Sequence, residues 1–317
     1  MLTLIIVGAV FLFVVGSILG SFIGALIWRL HELRRYDVLA SGGRSSKSAV
    51  DASKCWLGFW GLSRDADGKK LADKYRHSYC EHCGHKLTAM DLIPLASWLS
   101  TVGKCRYCGA KIGGSTLAIE LTGGLVFVIS YLLWPIAHVA VGSDFANFLQ
   151  PLNLVQFVVW LMTVLLFLAL AFYDARWRKL PNFFTYPLII LSLIYAILAL
   201  NFGYLSWSVM GDFALALIPV FGVYLLLFII SAGKWIGFGD VKFGLAVALL
   251  TMDWRLALTV LVLANVAGTL SILPGLAIKK LTRDSQIAFG PFLIGATFAV
   301  VLIAPLVLHW WTNFLML

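Results

Sequence analysis

Long apolar runs separated by short polar segments make up most of the chain. Each run except the sixth has the length of about 20 residues that a helix needs to cross a bilayer. The runs lie at roughly 2–28, 117–141, 152–173, 183–202, 212–232, 241–252, 256–278 and 289–311. The sixth run is too short to cross alone, so it either extends back through Trp235 and Ile236 or is re-entrant near Gly237 and Gly239. The pattern predicts an all-α polytopic membrane protein with about eight transmembrane helices.

The composition supports the membrane interpretation. Of 317 residues, 61% are hydrophobic and only 12% are charged, which excludes a soluble globular domain. Residues 2–28 carry no leading positive charge, run longer than the apolar region of a signal peptide and lack a small-residue cleavage site. We therefore expect residues 1–29 to be a retained first span.

The basic residues predict the orientation. The net charge is +9, and the segment from Arg29 to Lys111 holds 15 of the 24 Lys and Arg residues together with 8 acids. The loops near 142–151 and 203–211 hold no Lys or Arg. The positive-inside rule then places the long segment in the cytoplasm and both termini in the periplasm. The segment has no aromatic-basic interleaving and no nucleic-acid motif, so nucleic acid is not an expected partner.

The segment 30–113 is predicted to be a cytoplasmic insertion before a membrane core at 114–317. Residues 36–78 are polar and weakly patterned, which is typical of a flexible or lightly folded stretch. Residues 79–113 hold two Cys-x-x-Cys pairs, and a glycine follows each pair. Such knuckles predict a zinc ribbon in which four thiolates close a structural tetrahedral site. The predicted ligands are Cys80, Cys83, Cys105 and Cys108.

Alternatives to this zinc site exist among the same residues. Two disulfides would also use four cysteines, but a reducing cytoplasm argues against them. His82 and His85 lie beside the first knuckle, and four cysteines already suffice, so we expect both to be solvated. Cys55 has no partner in this scheme and is expected to be a free thiol.

Two aspartates occur where a membrane protein tolerates them least. Asp174 directly follows the apolar run Phe157–Tyr173, and Asp240 lies in the segment Gly237-Phe-Gly-Asp240-Val-Lys242. An acid at the edge of hydrocarbon is a functional hypothesis by default. Two acids at cytoplasmic span ends suggest one site for general acid–base chemistry on a peptide bond. The alternatives are a helix-end acid balanced by neighbouring cations for Asp174 and an N-cap for Asp240.

The chain closely resembles the bacterial prepilin peptidases, the type IV leader peptidases of the GxGD group of intramembrane aspartic proteases. Six matching segments occur in the family's order. They are Gly20-Ser-Phe22 leading to Arg29, the tandem Cys-x-x-Cys pairs, Ile119-Glu-Leu-Thr-Gly123, Asp174-x6-Pro181-Asn182, Gly237-x-Gly-Asp240-x-Lys242 and Phe289-Gly-Pro-Phe292. Two positions depart from the family pattern: Gly24-Ala25 replaces Asn-Val, and Ser115-Thr116-Leu117 replaces Arg-Tyr-Pro.

The resemblance implies an aspartate dyad, Asp174 and Asp240, that shares one proton. Gly237 and Gly239 would leave the backbone open to substrate. Lys242, Glu120 and Arg29 would either hold polar groups of the leader or tie the ribbon to the spans.

The resemblance also implies substrates and a second activity. The expected substrates are type IV prepilins and type II secretion pseudopilins, cut after a glycine at the cytoplasmic face of the bacterial inner membrane. The family also N-methylates the new N-terminus with S-adenosylmethionine. No glycine-rich nucleotide fingerprint is present, so methylation rests on the resemblance alone. The sequence leaves open whether the chain forms a homodimer.

Three other functions compete with this interpretation. A transporter with a cytoplasmic zinc module would carry inverted repeats, and none are visible in the sequence. A scaffold whose ribbon docks a secretion motor would tolerate neutralisation of both aspartates. A related GxGD protease could act on other membrane peptides, but the cysteine ribbon favours the prepilin enzyme.

Overall fold

The computed structural model describes residues 2–40, 78–80, 82–138, 150–201, 207–277 and 288–316, and these residues form helices and turns without a strand. The first three helices are α1 (Leu2–Ala40), α2 (Ala96–Ser100) and α3 (Gly114–His138). The helices that follow are α4 (Pro151–Trp177), α5 (Asn182–Asn201), α6 (Trp207–Ala216), α7 (Val223–Ile230), α8 (Phe238–Thr251), α9 (Trp254–Ala277), α10 (Gly290–Leu302) and α11 (Ala304–Leu315). A π-helical turn, Ile218–Gly222, precedes α7, and a short helical turn, Ala89–Leu92, precedes α2.

The chain divides into two compact units, Met1–Leu125 and Val126–Leu317. The predicted boundaries of the insertion at residues 30 and 113 both fall inside the first unit and stay a prediction. Most of the polar stretch 36–78, with Cys55, lies outside the described residues. The part of this stretch that is described continues α1 to Ala40, so the first helix is longer than its apolar run.

Six helices in the described part of the chain are long and apolar enough to cross a membrane. Their apolar spans are Thr3–His31, Gly114–Trp134, Pro151–Trp177, Asn182–Leu200, Gly211–Ile230 and Trp254–Pro274. Helices α10 and α11 form a seventh candidate, but the pair is bent by 83°. The predicted all-α polytopic fold is therefore confirmed, and the last apolar run is broken rather than straight.

The sixth apolar run forms the short helix α8. Its 14 residues span about 21 Å, less than the hydrocarbon core of about 30 Å. Because α8 begins at Phe238, Trp235 and Ile236 do not extend it. The extension through Trp235 and Ile236 is therefore wrong, and a re-entrant course near Gly237 and Gly239 stays a prediction.

In the first unit, α1 and α3 pack closely through glycines. A Cβ added to Gly20 would lie 2.7 Å from the Ile119 carbonyl oxygen, and one added to Gly123 would lie 2.5 Å from the Gly16 carbonyl oxygen. Larger residues would force the backbones apart, whereas small residues let membrane helices approach closely. This contact explains why Gly20 and Gly123 occur in two separate motifs.

The second unit has an aromatic core at one end of α4. Trp134 and Trp160 have no solvent-exposed surface, and the Trp160 Nε1–H donates to Ser130 Oγ at 3.0 Å. Tyr195 packs on Trp160 with ring centroids 6.2 Å apart. Trp160 lies about 21 Å along α4 from Asp174, as the helical rise of their 14-residue separation requires. The largest side chains therefore fix α4 at the end remote from its aspartate.

Candidate active site

Asp174 lies in the last turn of α4 and is only 6% exposed. Its Oδ2 accepts a hydrogen bond of 2.9 Å from the N–H of Gly290, the first residue of α10. A Cβ at Gly290 would lie 2.7 Å from that same oxygen, so this contact requires glycine. The partial positive charge at the α10 N-terminus favours a carboxylate there. The backbone of α10 thus holds the Asp174 carboxyl group in place.

Asp240 lies in the first turn of α8. Its N–H donates to the Gly237 carbonyl at 3.1 Å, and its Oδ2 would lie 3.3 Å from a Cβ at Gly237. A Cβ at Gly239 would lie 3.0 Å from the Leu180 Cβ. Gly239 therefore lets the start of α8 approach the segment that follows Asp174.

The structure brings the carboxyl groups of Asp174 and Asp240 close enough to interact electrostatically. They come from α4 and α8. These two helices share two neighbours, because α5 contacts both of them and α10 contacts both as well. Two carboxyl groups that interact strongly titrate as a pair. Such a pair can remove a proton from water and hydrogen-bond a carbonyl oxygen in one step.

Lys242 joins α8 to α5. Its Nζ donates to Asn182 Oδ1 at 2.9 Å and to Tyr186 OH at 3.1 Å, and it lies over the ring of Phe238 at 4.9 Å. Asn182 ends the motif that begins with Asp174, and Lys242 ends the motif that contains Asp240. The hydrogen bond between them therefore fixes the two aspartate motifs relative to each other.

Glu120 and Arg29 belong to the first unit. The Glu120 side chain is 5% exposed; its Oε1 accepts from Ser21 Oγ at 2.6 Å and its Oε2 accepts from the Leu95 N–H at 2.8 Å. It thereby joins α3 to α1 and to the stretch between the two knuckles. Arg29 is half-buried and lies near Tyr79, which directly precedes the first knuckle.

The two knuckles have the same backbone geometry. In the first, the Gly84 N–H donates to the Cys80 carbonyl at 2.8 Å, and in the second the Gly109 N–H donates to the Cys105 carbonyl at 2.9 Å. Both glycines have a positive φ, 69° and 70°, which glycine adopts without steric cost. The sequence pattern therefore produces two matching tight turns.

These turns bring four thiols together. The Sγ atoms of the four predicted ligands all lie within 4.8 Å of one another, and the Cys80 and Cys108 sulfurs are 3.9 Å apart. The four cysteines are free, and 3.9 Å is far beyond a disulfide bond of about 2.05 Å. Tetrahedral Zn–S bonds of about 2.3 Å separate sulfurs by roughly 3.8 Å, so the donor set fits a metal ion.

Asp91 links the stretch between the knuckles to the second knuckle. Its Oδ2 accepts from Thr88 Oγ1 at 2.8 Å and from Tyr107 OH at 2.9 Å, and Arg106 lies 3.4 Å from Oδ1. The Thr88 hydroxyl, the Thr88 N–H, Tyr107 and Arg106 hold the pKa of the Asp91 carboxyl below its usual range. The ribbon therefore has a polar link in addition to its four thiols.

Sequence reasoning did not assign two residues that the structure places beside the aspartates. Gly290 holds Asp174, and its signal was present in the Phe289-Gly-Pro-Phe292 segment. Tyr224 is buried and lies near Asp240. No sequence motif marked Tyr224, because it lies within an otherwise uniform apolar run.

Two family models match separate parts of the chain. The model for the bacterial peptidase A24 N-terminal domain matches residues 14–134, and the model for the type IV leader peptidase family matches residues 160–273. The second match contains both Asp174 and Asp240, and the first contains the four cysteines. The comparison with solved structures finds no match.

Three curated relatives carry the name prepilin leader peptidase/N-methyltransferase. The protein from Dickeya chrysanthemi is 27% identical over 89% of this chain and 88% of its own length. The protein from Dichelobacter nodosus is 30% identical over 68% of this chain and 67% of its own length. The protein from Stutzerimonas stutzeri is 26% identical over 91% of this chain and 88% of its own length.

The membrane-spanning helices and the family matches define an intramembrane aspartic peptidase. The similarity to the Dichelobacter nodosus protein extends over about two thirds of both chains. The chain belongs to the type IV leader peptidase family.

Proposed function

We propose that this protein removes the leader peptides of type IV prepilins and type II secretion pseudopilins, with Asp174 and Asp240 as the catalytic pair. The observation that carries the proposal is that these two acids lie close enough to interact electrostatically in a member of the type IV leader peptidase family. Asp174 is positioned by a backbone N–H and Asp240 by a glycine-flanked helix start. A transporter or scaffold gives no reason for two acids to be held together in this way.

The proposed reaction is hydrolysis of one peptide bond. The ionised aspartate takes a proton from water, whose oxygen adds to the scissile carbonyl carbon. The protonated aspartate gives a hydrogen bond and then its proton to the carbonyl oxygen. The tetrahedral intermediate collapses when the C–N bond breaks: the first aspartate passes its newly gained proton to the leaving amine, and one hydroxyl of the intermediate returns a proton to the second aspartate. The products are a new carboxyl group on the leader and a new amine on the pilin.

The substrate must present its cleavage site at the cytoplasmic edge of the membrane. Both aspartates lie at helix ends that the distribution of Lys and Arg places on the cytoplasmic side. A prepilin has a short positive leader in the cytoplasm and an apolar helix in the bilayer. Its scissile bond, after a glycine, would therefore reach the level of the two acids.

The second proposed activity is N-methylation of the new pilin N-terminus. The relatives' names include N-methyltransferase, and they cover most of this chain. The methyl group would pass from the sulfonium of S-adenosylmethionine to the pilin amine: the S–C bond breaks as the N–C bond forms, the amine loses a proton, and S-adenosylhomocysteine leaves.

We also propose that Cys80, Cys83, Cys105 and Cys108 bind a zinc ion. Four thiolates make a closed site with no open position for water or substrate, so the ion would be structural. It would fix the two knuckles relative to each other and would take no part in peptide hydrolysis.

The experiment that tests the function uses the full chain in phospholipid vesicles with a purified type IV prepilin. The expected product is a pilin shortened by its leader, with the cut after the glycine, and with one added methyl group only when S-adenosylmethionine is present. Mass measurement of the product N-terminus reports both steps. A prepilin whose glycine is replaced by a bulky residue is the control and should remain uncut. An intact wild-type prepilin after prolonged incubation would contradict the proposal.

A further inference from the structure

Tyr224 is a buried polar residue that the proposed mechanism does not use. It lies in the first turn of α7 and is 4% exposed. Its hydroxyl oxygen has no hydrogen-bond partner in the part of the chain that the structure describes. Burying a hydroxyl group without a partner costs free energy, so such groups are uncommon and call for an explanation.

The packing of α7 on α8 places Tyr224 opposite Asp240. At one end of the contact, a Cβ on Gly244 would lie 3.1 Å from the Phe221 Cα. At the other end, the rings of Phe228 and Phe238 lie 5.2 Å apart between centroids. Later residues of one segment meet earlier residues of the other, so the two run antiparallel. Tyr224 lies midway between these contacts on one segment, near Asp240 on the other.

The Tyr224 ring also packs against the residue that precedes the backbone donor of Asp174. Its centroid lies 6.4 Å from that of Phe289, with the rings at 70° in an edge-to-face arrangement. Phe289 directly precedes Gly290, whose N–H binds the Asp174 carboxylate. Tyr224 thus contacts the residue beside the Asp174 donor and lies near Asp240.

The π-helical turn before α7 sets this orientation. Residues Ile218–Gly222 contain the wider turn, and Val220 packs at Gly244. One extra residue rotates every following side chain by about 100° relative to a continuous α-helix. Such π-turns are frequent at functional sites. The rotation turns Tyr224 inward, where an uninterrupted apolar helix would present a different residue.

We propose that Tyr224 is a further catalytic residue, whose hydroxyl donates a hydrogen bond to the oxygen of the tetrahedral intermediate. The inference rests on the proposed peptidase function. Tyr224 keeps its own proton throughout, so the two aspartates still carry every proton transfer. Until the aspartate's proton has passed to this oxygen, a donor that is fixed beforehand stabilises the charge that develops on it at no cost of reorganisation.

The test compares Tyr224→Phe with wild type in the vesicle cleavage assay. The change removes only the hydroxyl and keeps the ring against Phe289. We expect kcat to fall on the order of 10²-fold with KM nearly unchanged, as for the loss of other donors to a developing oxyanion. Thermal stability should be unchanged or slightly higher, because a buried hydroxyl without a partner is removed.

The matched control is Tyr195→Phe, which removes a buried hydroxyl at the aromatic core beside Trp160. This variant should keep the wild-type kcat. A wild-type kcat for Tyr224→Phe would overturn the inference. So would a loss that appears only in KM, or one that accompanies a lower melting temperature.

Asp174→Asn, measured in the same assay, separates the two proposals. If it is inactive while Tyr224→Phe is fully active, the role of Tyr224 fails and the peptidase proposal stands. If Asp174→Asn cleaves at the wild-type rate, the dyad itself fails, and with it the inference that rests on it.

Discussion

Asp174 is held by a backbone donor and not by a cation. The basic cluster after α4, Arg176, Arg178 and Lys179, offers the obvious counter-charges, but the described residues contain no salt bridge between them and Asp174. The carboxylate instead accepts the Gly290 N–H. A backbone donor fixes the position of the carboxyl group without a neighbouring positive charge. The interpretation of Asp174 as an acid balanced by its neighbours is therefore not supported by its contacts.

Gly290→Ala tests whether the hydrogen bond from the Gly290 N–H positions the Asp174 carboxylate. The new Cβ would lie 2.7 Å from Asp174 Oδ2, so the carboxylate or α10 must shift and the hydrogen bond is lost. Displacement of a catalytic group by about 1 Å can cost on the order of 10²-fold in rate, and we expect a loss of that order in kcat for prepilin cleavage. Gly295→Ala is the matched control in the same helix, because its Cβ would meet no atom within 4 Å. Equal rates for the two variants would contradict the role given to Gly290.

At this scale the sequence pointed to the acids but not to their partners. Asp174 and Asp240 stood out because a charge is costly beside hydrocarbon. Gly290 lies 116 residues after Asp174, and nothing in local pattern connects them. In the sequence Tyr224 is one aromatic residue within an apolar run, and its position near Asp240 depends on packing and on the π-helical turn that precedes it.

Among the elements, the two knuckles were the most predictable. The Cys-x-x-Cys-Gly spacing specifies a tight turn with a positive-φ glycine, and the structure forms it twice. The contact between Glu120 and the Leu95 N–H was beyond sequence reasoning, which left Glu120 with two alternative roles. Long-range partners of a buried acid depend on packing that no local spacing encodes.

Removal of one thiol tests the zinc proposal at the level of the knuckle pair. In Cys105→Ser, three thiolates and a poor hydroxyl ligand remain, so we expect zinc to fall from one per chain to well below one per chain. Elemental analysis of the purified protein measures this directly. Cys55→Ser should retain one zinc per chain, because Cys55 lies outside the predicted ligand set. Full zinc content in Cys105→Ser, or loss of zinc in both variants, would contradict the assignment.

The apolar runs predict where the spans lie, but they do not predict where a helix is interrupted. The six candidate spans lie where the apolar runs predict them. Hydropathy does not distinguish a straight span from the 83° bend between α10 and α11, because both halves are apolar. The bend occurs at Ile303, just before Pro305, whose ring cannot continue a helix hydrogen-bond ladder.

For the whole molecule, the uneven distribution of Lys and Arg predicts one orientation. The insertion should lie in the cytoplasm and both termini in the periplasm. Alkaline phosphatase folds only in the periplasm, so we expect an active fusion after Leu317 and an inactive fusion within the insertion near residue 60. A green fluorescent protein at the same positions should give the opposite pattern. Phosphatase activity from the insertion would contradict the predicted orientation.

The whole molecule also brings together segments that are distant in the chain. Asp174, Asp240 and Gly290 come from three separate helices, and the hydrogen bond between Lys242 and Asn182 holds two of the motifs in register. The order of motifs in the sequence predicted their shared function. Their meeting depends on how α4, α5, α8 and α10 pack, which becomes visible only in three dimensions.

The most direct measurement is the cleavage rate of a prepilin by Asp174→Asn and by Asp240→Asn in vesicles that contain equal amounts of folded protein. Each change keeps the side-chain size and removes the ability to exchange a proton. We predict that either variant loses cleavage to the limit of detection, while Asp212→Asn, a change on α6, keeps the wild-type rate. Cleavage at the wild-type rate by either dyad variant would show that the two acids do not act as a pair.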